Sequence, residues 1–166
     1  GNWIEDENIK IFDLTYEELL KFDVGSLNKL SRYGRRFVNQ KTLENQKIPK
    51  LSELLDLSSK NLSENLLINL EIKSTPDEEN LTPIPEEMVK LVIAEVLKSN
   101  LQNKIIISSF DWRTLTEIKN LYPEISRAYL TFQQQAGIKI KNTIYNRSPW
   151  MSYLPFFENY ELPKII

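Results

Sequence analysis

The chain has 166 residues, a net charge of −2, no cysteine and no histidine. Its length and its 41% hydrophobic content are typical of one globular domain with a sizeable core, which excludes a disordered protein. The net charge gives no electrostatic case for nucleic acid or an anionic membrane as partner. Because histidine is the usual proton-transfer group near neutral pH, catalysis by these residues would have to rest on carboxylates, lysine, arginine, tyrosine or hydroxyls.

The sequence shows no sign of membrane insertion. No apolar run approaches the roughly 20 residues that cross a bilayer, and the opening residues Gly1, Asn2 and Trp3 do not begin a signal peptide. We therefore expect a soluble protein without a membrane span, in the cytoplasm or the periplasm. The lack of cysteine fits either compartment.

Two short helices are predicted in the first third of the chain. Thr15 followed by Glu18 is a capping-box pattern, which predicts a helix that runs to about Phe22. Residues 26–49 are polar and predict a long ordered loop. Pro49 then opens a second predicted helix over residues 51–57. Three of its leucines share one face: Leu51, Leu54 and Leu55.

The long loop contains a group of cations at Arg32, Arg35 and Arg36. Guanidinium groups bind phosphate well, so one reading is a phosphate clamp. A loose basic cluster is more often a solvated face, and we keep that reading as the default.

The middle of the chain alternates strands with helices. Residues 66–73, 104–109 and 127–132 predict strands, of which the first is a fully apolar strand of the buried, parallel kind. A helix is predicted to start at Pro85, after an acidic loop, and another is predicted to be capped by Asp111 and ended by Pro123. The first of these has a regular apolar face: Val89, Val92, Ile93, Val96 and Leu97. This alternation predicts right-handed βαβ units in a parallel sheet.

Periodicity fades after Gln135. Residues 149–163 combine aromatic side chains with three prolines. Irregular packing against the scaffold is the favoured interpretation, and a lid over a site is the alternative.

A charge pair lies near the end of the first predicted strand. Side chains alternate along a strand, so Asn69, Glu71 and Lys73 share one face. Reactive groups gather at the carboxyl ends of strands in parallel barrels. A carboxylate there can hold Mg²⁺ or Ca²⁺, and an ammonium can neutralise a phosphate. A plain salt bridge at a solvated strand end explains the same residues, so both readings stay open.

The next strand ends in Ser108 and Ser109, followed by Phe110, Asp111 and Trp112. A hydroxyl and an aromatic ring at this edge could contact a polar substrate with an organic tail. Serines at a strand end and an aspartate at a helix start are also ordinary structural choices, and on these residues alone the structural reading is favoured.

Seven segments, taken in chain order, resemble the glycerophosphodiester phosphodiesterase family, and its bacterial members most. They read DLTYEELLKFDVG (13–25), SRYGRRFVNQ (31–40), KIPKLSELL (47–55), INLEIK (68–73), SSFDWRTL (108–115), YPEISRAYLT (122–131) and SPW (148–150). The resemblance implies an α/β fold, a TIM-type (β/α) barrel. The chain would hold roughly strands three to five with their helices, as a single incomplete domain over residues 1–166.

The resemblance also implies a reaction and its residues. The family hydrolyses glycerophosphodiesters to an alcohol and glycerol 3-phosphate with a divalent metal ion, Ca²⁺ or Mg²⁺. By similarity Glu71 would be a metal ligand, and Lys73 a catalytic residue that binds phosphate and stabilises charge. Phe110, Trp112 and Ser109 would be substrate-binding residues.

Three motifs of the family are absent from this sequence. The acid and base are two histidines, in His-Arg-Gly and Asp-x-His motifs, and a Glu-Asn-Thr motif supplies a further metal ligand. We expect the first two strands and the last strands to be missing rather than mutated, and the isolated chain to have little or no turnover.

Two other functions compete with this reading. A non-catalytic module could keep the fold and assemble through unpaired strand edges, since an open edge is a template for another strand. A barrel phospholipase of the sphingomyelinase type shares the strand layout, but the SSFDWRTL segment disfavours it.

Overall fold

The computed structural model describes residues 3–4, 9–61, 63, 65–131, 143–144 and 147–153. The chain separates into two units, residues 1–50 and residues 51–166. The prediction of a single domain stays a prediction. Predicted features at Phe132, and over most of the aromatic segment 149–163, lie outside the described residues.

Helix α1 (Tyr16–Leu19) in the first unit starts at the predicted capping box. The Thr15 hydroxyl accepts a hydrogen bond from the Glu18 amide, and the Glu18 carboxylate accepts one from the Thr15 amide at 2.8 Å. The Thr15 hydroxyl also donates to this carboxylate at 2.9 Å, and the two bonds donated by Thr15 lower the pKa of Glu18. The capping box is therefore confirmed, but the helix ends at Leu19 rather than near Phe22, and turns follow it.

The predicted loop of residues 26–49 contains a helix that the sequence analysis missed, α2 (Arg32–Arg36). The Ser31 hydroxyl caps it by accepting a hydrogen bond from the Gly34 amide at 2.9 Å. Gly34 is buried against the preceding turn, where an added Cβ would lie 2.1 Å from the Asn28 carbonyl oxygen. A five-residue helix has no apolar periodicity to reveal it, because local capping and one close backbone approach define it.

The Asp23 carboxylate joins two further segments of the first unit. Asp23 accepts hydrogen bonds from the Ser26 hydroxyl at 2.6 Å and from the Gly25 and Gln46 amides. These bonds, that of Ser26 above all, lower the pKa of Asp23 well below its usual range. The turn after α1 is thereby joined to residues near 46, which gives a polar segment an ordered path.

The second unit alternates helices and strands as predicted. Its elements are α3 (Leu51–Asn61), β1 (Ile68–Glu71), α4 (Pro85–Ser99), β2 (Ile105–Ser109), α5 (Trp112–Leu121) and β3 (Ser126–Tyr129). Short 3-10 helices lie at Ile11–Asp13, Glu79–Leu81, Gln102–Lys104 and Pro149–Met151. The strands form one parallel sheet in the order β1-β2-β3, which confirms the predicted mixed α/β architecture with parallel strands.

The core of this unit lies on one face of the sheet. Ile72, Ile105 and Ile107 are buried there with residues of the helices that cover this face, and Trp112 joins the same cluster. The predicted apolar face of α4 is confirmed at Val89, Ile93 and Val96, which are fully buried. Two predicted face residues are instead exposed, Leu54 of α3 and Leu97 of α4.

The prediction of a fully buried first strand is wrong. Along β1 the side chains alternate between half-buried and exposed, and Asn69 and Glu71 are among the exposed ones. Among the described residues, helices cover only one face of this strand. Because side chains alternate along a strand, every second side chain of β1 lies on the face without helices.

None of the helices in the described part of the chain is long and apolar enough to cross a membrane.

A pair of alanine substitutions on α4 tests the position of the core. Ile93→Ala removes a side chain with no exposed surface and should lower the free energy of unfolding by about 2–5 kcal/mol. Leu91→Ala is the matched control, because Leu91 lies one half-turn away and is 62% exposed. It should change the free energy by less than about 0.5 kcal/mol in urea titrations followed by circular dichroism. Equal effects would contradict the assignment of the buried face.

Candidate functional site

The charge pair predicted from the sequence lies at the carboxyl end of β1. Glu71 is in register with Ser108 of β2, and its side chain belongs to the open face of the sheet. The Lys73 Nζ lies 2.6 Å from the Glu71 Oε1, and the two side chains are 79% and 31% exposed. An ion pair this exposed generally stabilises a fold by no more than about 1 kcal/mol. The pair is therefore accessible and contributes little to stability.

Ser108 adds a hydroxyl to the same face. In the parallel register it stands between Glu71 and Ala128. Its oxygen is buried and has no hydrogen-bond partner among the described residues. A buried hydroxyl without a partner is costly, so this position favours a polar partner that the described residues do not supply.

Ser109, a predicted substrate-binding residue, is buried and already bonded. Its hydroxyl donates to the Ile72 carbonyl at 2.8 Å and accepts from the Asp111 amide at 3.0 Å. These bonds tie the end of β1 to the turn that follows β2. Contact with a substrate would require Ser109 to exchange one of them, and its substrate role stays a prediction.

The two aromatic residues of this edge differ in their surroundings. Phe110 is half-buried in the turn between β2 and α5. Trp112 is 1% exposed, its Nε1 donates to the Leu130 carbonyl at 2.9 Å, and its ring meets Tyr129 edge-on at 5.1 Å. Because Tyr129 is on the helix-covered face, the structure gives the indole a packing role. Substrate contact stays a prediction for both residues.

A buried ion pair lies behind the site, and the sequence analysis missed it. Asp111 is fully buried, and it accepts hydrogen bonds from the Arg113 Nη2 at 2.9 Å and from the Ser74 hydroxyl at 2.8 Å. The Arg113 Nη1 donates to the Glu79 Oε1 at 2.7 Å. Asp111 also accepts from the Arg113 amide, which confirms its predicted role as the cap of α5.

This network fixes the segment that follows Lys73. Ser74 and Glu79 belong to the loop between β1 and α4, and both are bonded to groups at the start of α5. The hydrogen bonds of Asp111, with a smaller effect of Glu79, raise the pKa of Arg113 further above its usual range. The guanidinium is therefore charged at every accessible pH, so it can pair with these carboxylates whenever they are ionised.

The described residues alone do not form a metal site. They contain no group of three aspartate, glutamate, histidine or cysteine side chains close enough to hold an ion. Glu71 is one carboxylate, and Lys73 already donates to one of its oxygens. Since Ca²⁺ and Mg²⁺ take six or more oxygen ligands, a metal bound here would need most of its ligands from elsewhere.

Comparison with known proteins identifies the family. The sequence model of the glycerophosphoryl diester phosphodiesterase family matches residues 4–162, so the chain belongs to that family, as the resemblance implied. A glycerophosphodiester phosphodiesterase of Caldanaerobacter subterraneus is 27% identical over 154 residues. That alignment covers 93% of this chain and 54% of the relative, so the chain spans about half the length of the curated relative it matches.

A solved structure supports the same conclusion. A crystal structure from Silicibacter pomeroyi, provisionally named a glycerophosphoryl diester phosphodiesterase, superimposes with a TM-score of 0.63 and 34% identity. The match covers 70% of this chain and 39% of that protein. The described fold is therefore similar to a portion of a larger family member.

The buried anchor behind Lys73 can be tested by removing its charge. Asp111→Asn leaves the mostly buried Arg113 without its buried carboxylate partner and with only the exposed Glu79 to pair with, which should cost about 3 kcal/mol of unfolding free energy. Glu79→Gln is the matched control, since Glu79 pairs with the same guanidinium but is 70% exposed, and it should cost less than about 1 kcal/mol. Urea unfolding of both variants measures the difference, and similar losses would refute the anchor.

Proposed function

We propose that the complete protein hydrolyses glycerophosphodiesters to an alcohol and glycerol 3-phosphate, and that this chain supplies the phosphate-binding part of its active site. The observation that carries the proposal is the accessible Glu71–Lys73 pair at the carboxyl end of a parallel strand. Membership of the phosphodiesterase family supports the substrate class.

In this proposal the three strands are roughly the third to fifth strands of a TIM-type barrel. Their parallel order supports it, as do the outer edges of β1 and β3, which have no partner strand among the described residues. The length of the curated relative also supports it, because this chain aligns with 54% of that protein.

Each residue of the pair has a separate proposed role. The Lys73 ammonium would bind a phosphate oxygen and stabilise the negative charge that develops on it. Glu71 would keep that ammonium in place and offer one oxygen ligand to a divalent metal ion, Ca²⁺ or Mg²⁺. The remaining ligands and the groups that move protons would come from outside the described residues, since the sequence contains no histidine.

The substrate-binding edge is proposed to be Phe110 with Ser109 and Trp112. Phe110 has the exposed surface needed to contact the organic part of a diester directly. Ser109 and Trp112 are held by internal hydrogen bonds, so in this proposal they also fix the backbone on either side of Phe110.

A second candidate function is assembly through strand edges. The outer edges of β1 and β3 have unpaired backbone groups among the described residues, and such edges favour pairing with another strand. Analytical ultracentrifugation of the purified chain tests it. A concentration-dependent dimer without metal binding would favour assembly, and a monomer at high concentration would count against it.

The purified chain by itself should release no glycerol 3-phosphate from glycerophosphocholine, with either Ca²⁺ or Mg²⁺. The physical reason is that proton-transfer groups and most metal ligands are absent from its sequence. An enzyme-coupled assay of glycerol 3-phosphate measures this. Release that disappears with a chelator and in Glu71→Ala would show that this chain alone completes a site.

A hybrid enzyme tests the proposed role of Lys73 directly. In it, this chain replaces the matching 154-residue segment of the Caldanaerobacter phosphodiesterase. Lys73→Met should lower its kcat by about 100-fold or more, because one group that stabilises transition-state charge is lost. Lys60→Met, at an exposed position of α3, removes the same charge and should leave kcat unchanged. A hybrid that keeps full kcat with Lys73→Met would refute the proposal.

A further inference from the structure

The first unit presents a local concentration of positive charge that the net charge conceals. Residues 29–38, called here the α2 patch, contain four cations, and no aspartate or glutamate occurs between residues 24 and 43. The cations are Lys29, Arg32, Arg35 and Arg36, all exposed. None of them forms a salt bridge within the part of the chain that the structure describes. Among the described residues the patch is therefore a positive surface without ionic partners, on a chain of net charge −2.

Large apolar side chains are exposed among these cations. Leu30 is 80% exposed, Val38 is 68% exposed and Tyr33 is 58% exposed. Phe37 adds a fourth apolar group at 40%. Exposed apolar side chains that cluster within ten residues mark an interaction surface more often than isolated ones do.

Local contacts hold the cationic and apolar groups together. The Arg35 Nε and Nη2 donate to the Leu30 carbonyl at 3.0 and 2.8 Å. The Tyr33 and Phe37 ring centroids are 4.7 Å apart, and the Arg36 guanidinium lies 5.4 Å from the Phe37 centroid. Gly34 packs against the turn before α2, so the larger side chains of α2 lie on the solvent-exposed side of the helix.

We propose that the α2 patch binds the surface of an anionic lipid bilayer. Basic side chains beside such a surface contribute roughly 1 kcal/mol each, and apolar neighbours can enter the boundary between head groups and acyl chains. This proposal uses only residues of the first unit and does not rest on the proposed hydrolysis.

Nucleic acid would fit the same charge but not the same apolar groups. Proteins bind single strands by stacking bases on aromatic rings that are free to receive them. Here Tyr33 and Phe37 pack on each other, and the most exposed apolar residues, Leu30 and Val38, have no aromatic face. Aliphatic side chains match hydrocarbon, which favours lipid as the partner.

Vesicle flotation of the purified chain tests the proposal, because vesicles rise while aggregated protein sinks. The chain should float with vesicles of phosphatidylcholine and phosphatidylglycerol and not with phosphatidylcholine alone. Binding should weaken as salt increases, since screening reduces attraction between surface charges.

Two variants separate the charge from the apolar contribution. Arg32→Gln combined with Arg36→Gln should weaken binding by about 25-fold, or about fivefold for each cation. Leu30→Ser combined with Val38→Ser should also weaken it at unchanged charge. The control, Lys90→Gln combined with Lys98→Gln, removes two cations from α4 and should bind like the original chain.

Three results would overturn the proposal. One is no flotation with phosphatidylglycerol vesicles by a chain whose circular dichroism shows it to be folded. Another is an equal loss in the α4 control, which would make net charge the cause. The third is that the chain binds a single-stranded RNA oligonucleotide more tightly than it binds the vesicles, and that the variant with Arg32→Gln and Arg36→Gln loses this RNA binding. That result would assign the patch to nucleic acid.

Discussion

The alternation of side chains across a sheet covered on one face is the constraint on which the rest of this structure depends. Ile72 points to the helices and is buried, while Glu71 and Lys73, its two neighbours in sequence, stand on the other face. Burial of apolar side chains such as Ile72 stabilises the fold, since the removal of apolar surface from water is the main favourable term in folding. The open face is left to charged groups that the fold does not need. In the function proposed above, the phosphate of the substrate would be held on this face.

Ionic groups in this chain serve different purposes according to burial. The buried Asp111 and the mostly buried Arg113 tie the loop after Lys73 to the start of α5. The Glu71–Lys73 pair is exposed and exchangeable, and the cations of the α2 patch have no ionic partner among the described residues. A buried pair fixes geometry, whereas exposed charge is available to a ligand or a surface. The net charge of −2 hides this division, because it averages a positive patch with acidic segments elsewhere.

The sequence was sufficient to predict those features that contacts between residues close in the chain determine. The apolar face of α4, the capping box at Thr15 and the cap at Asp111 follow from spacing and hydrogen bonding within a few residues. The sequence was insufficient to predict features that depend on contacts between residues far apart in the chain. The apolar run of β1 does not reveal whether other elements will cover one face of the strand or both. The hydrogen bond from Arg113 to Glu79 joins residues 34 positions apart, so spacing along the chain does not predict it. Sequence spacing likewise did not show that the Trp112 ring turns to the helix-covered face.

The central claim is that the fold depends on one face of β1 and that the other face is kept for chemistry. Three variants at consecutive positions test it in one urea-unfolding experiment. Ile72→Ala should lower the free energy of unfolding by about 2–5 kcal/mol, as for other buried isoleucines. Glu71→Gln and Lys73→Met should each change it by less than about 1 kcal/mol. A loss at either charged residue as large as that at Ile72 would make the pair structural and contradict the claim.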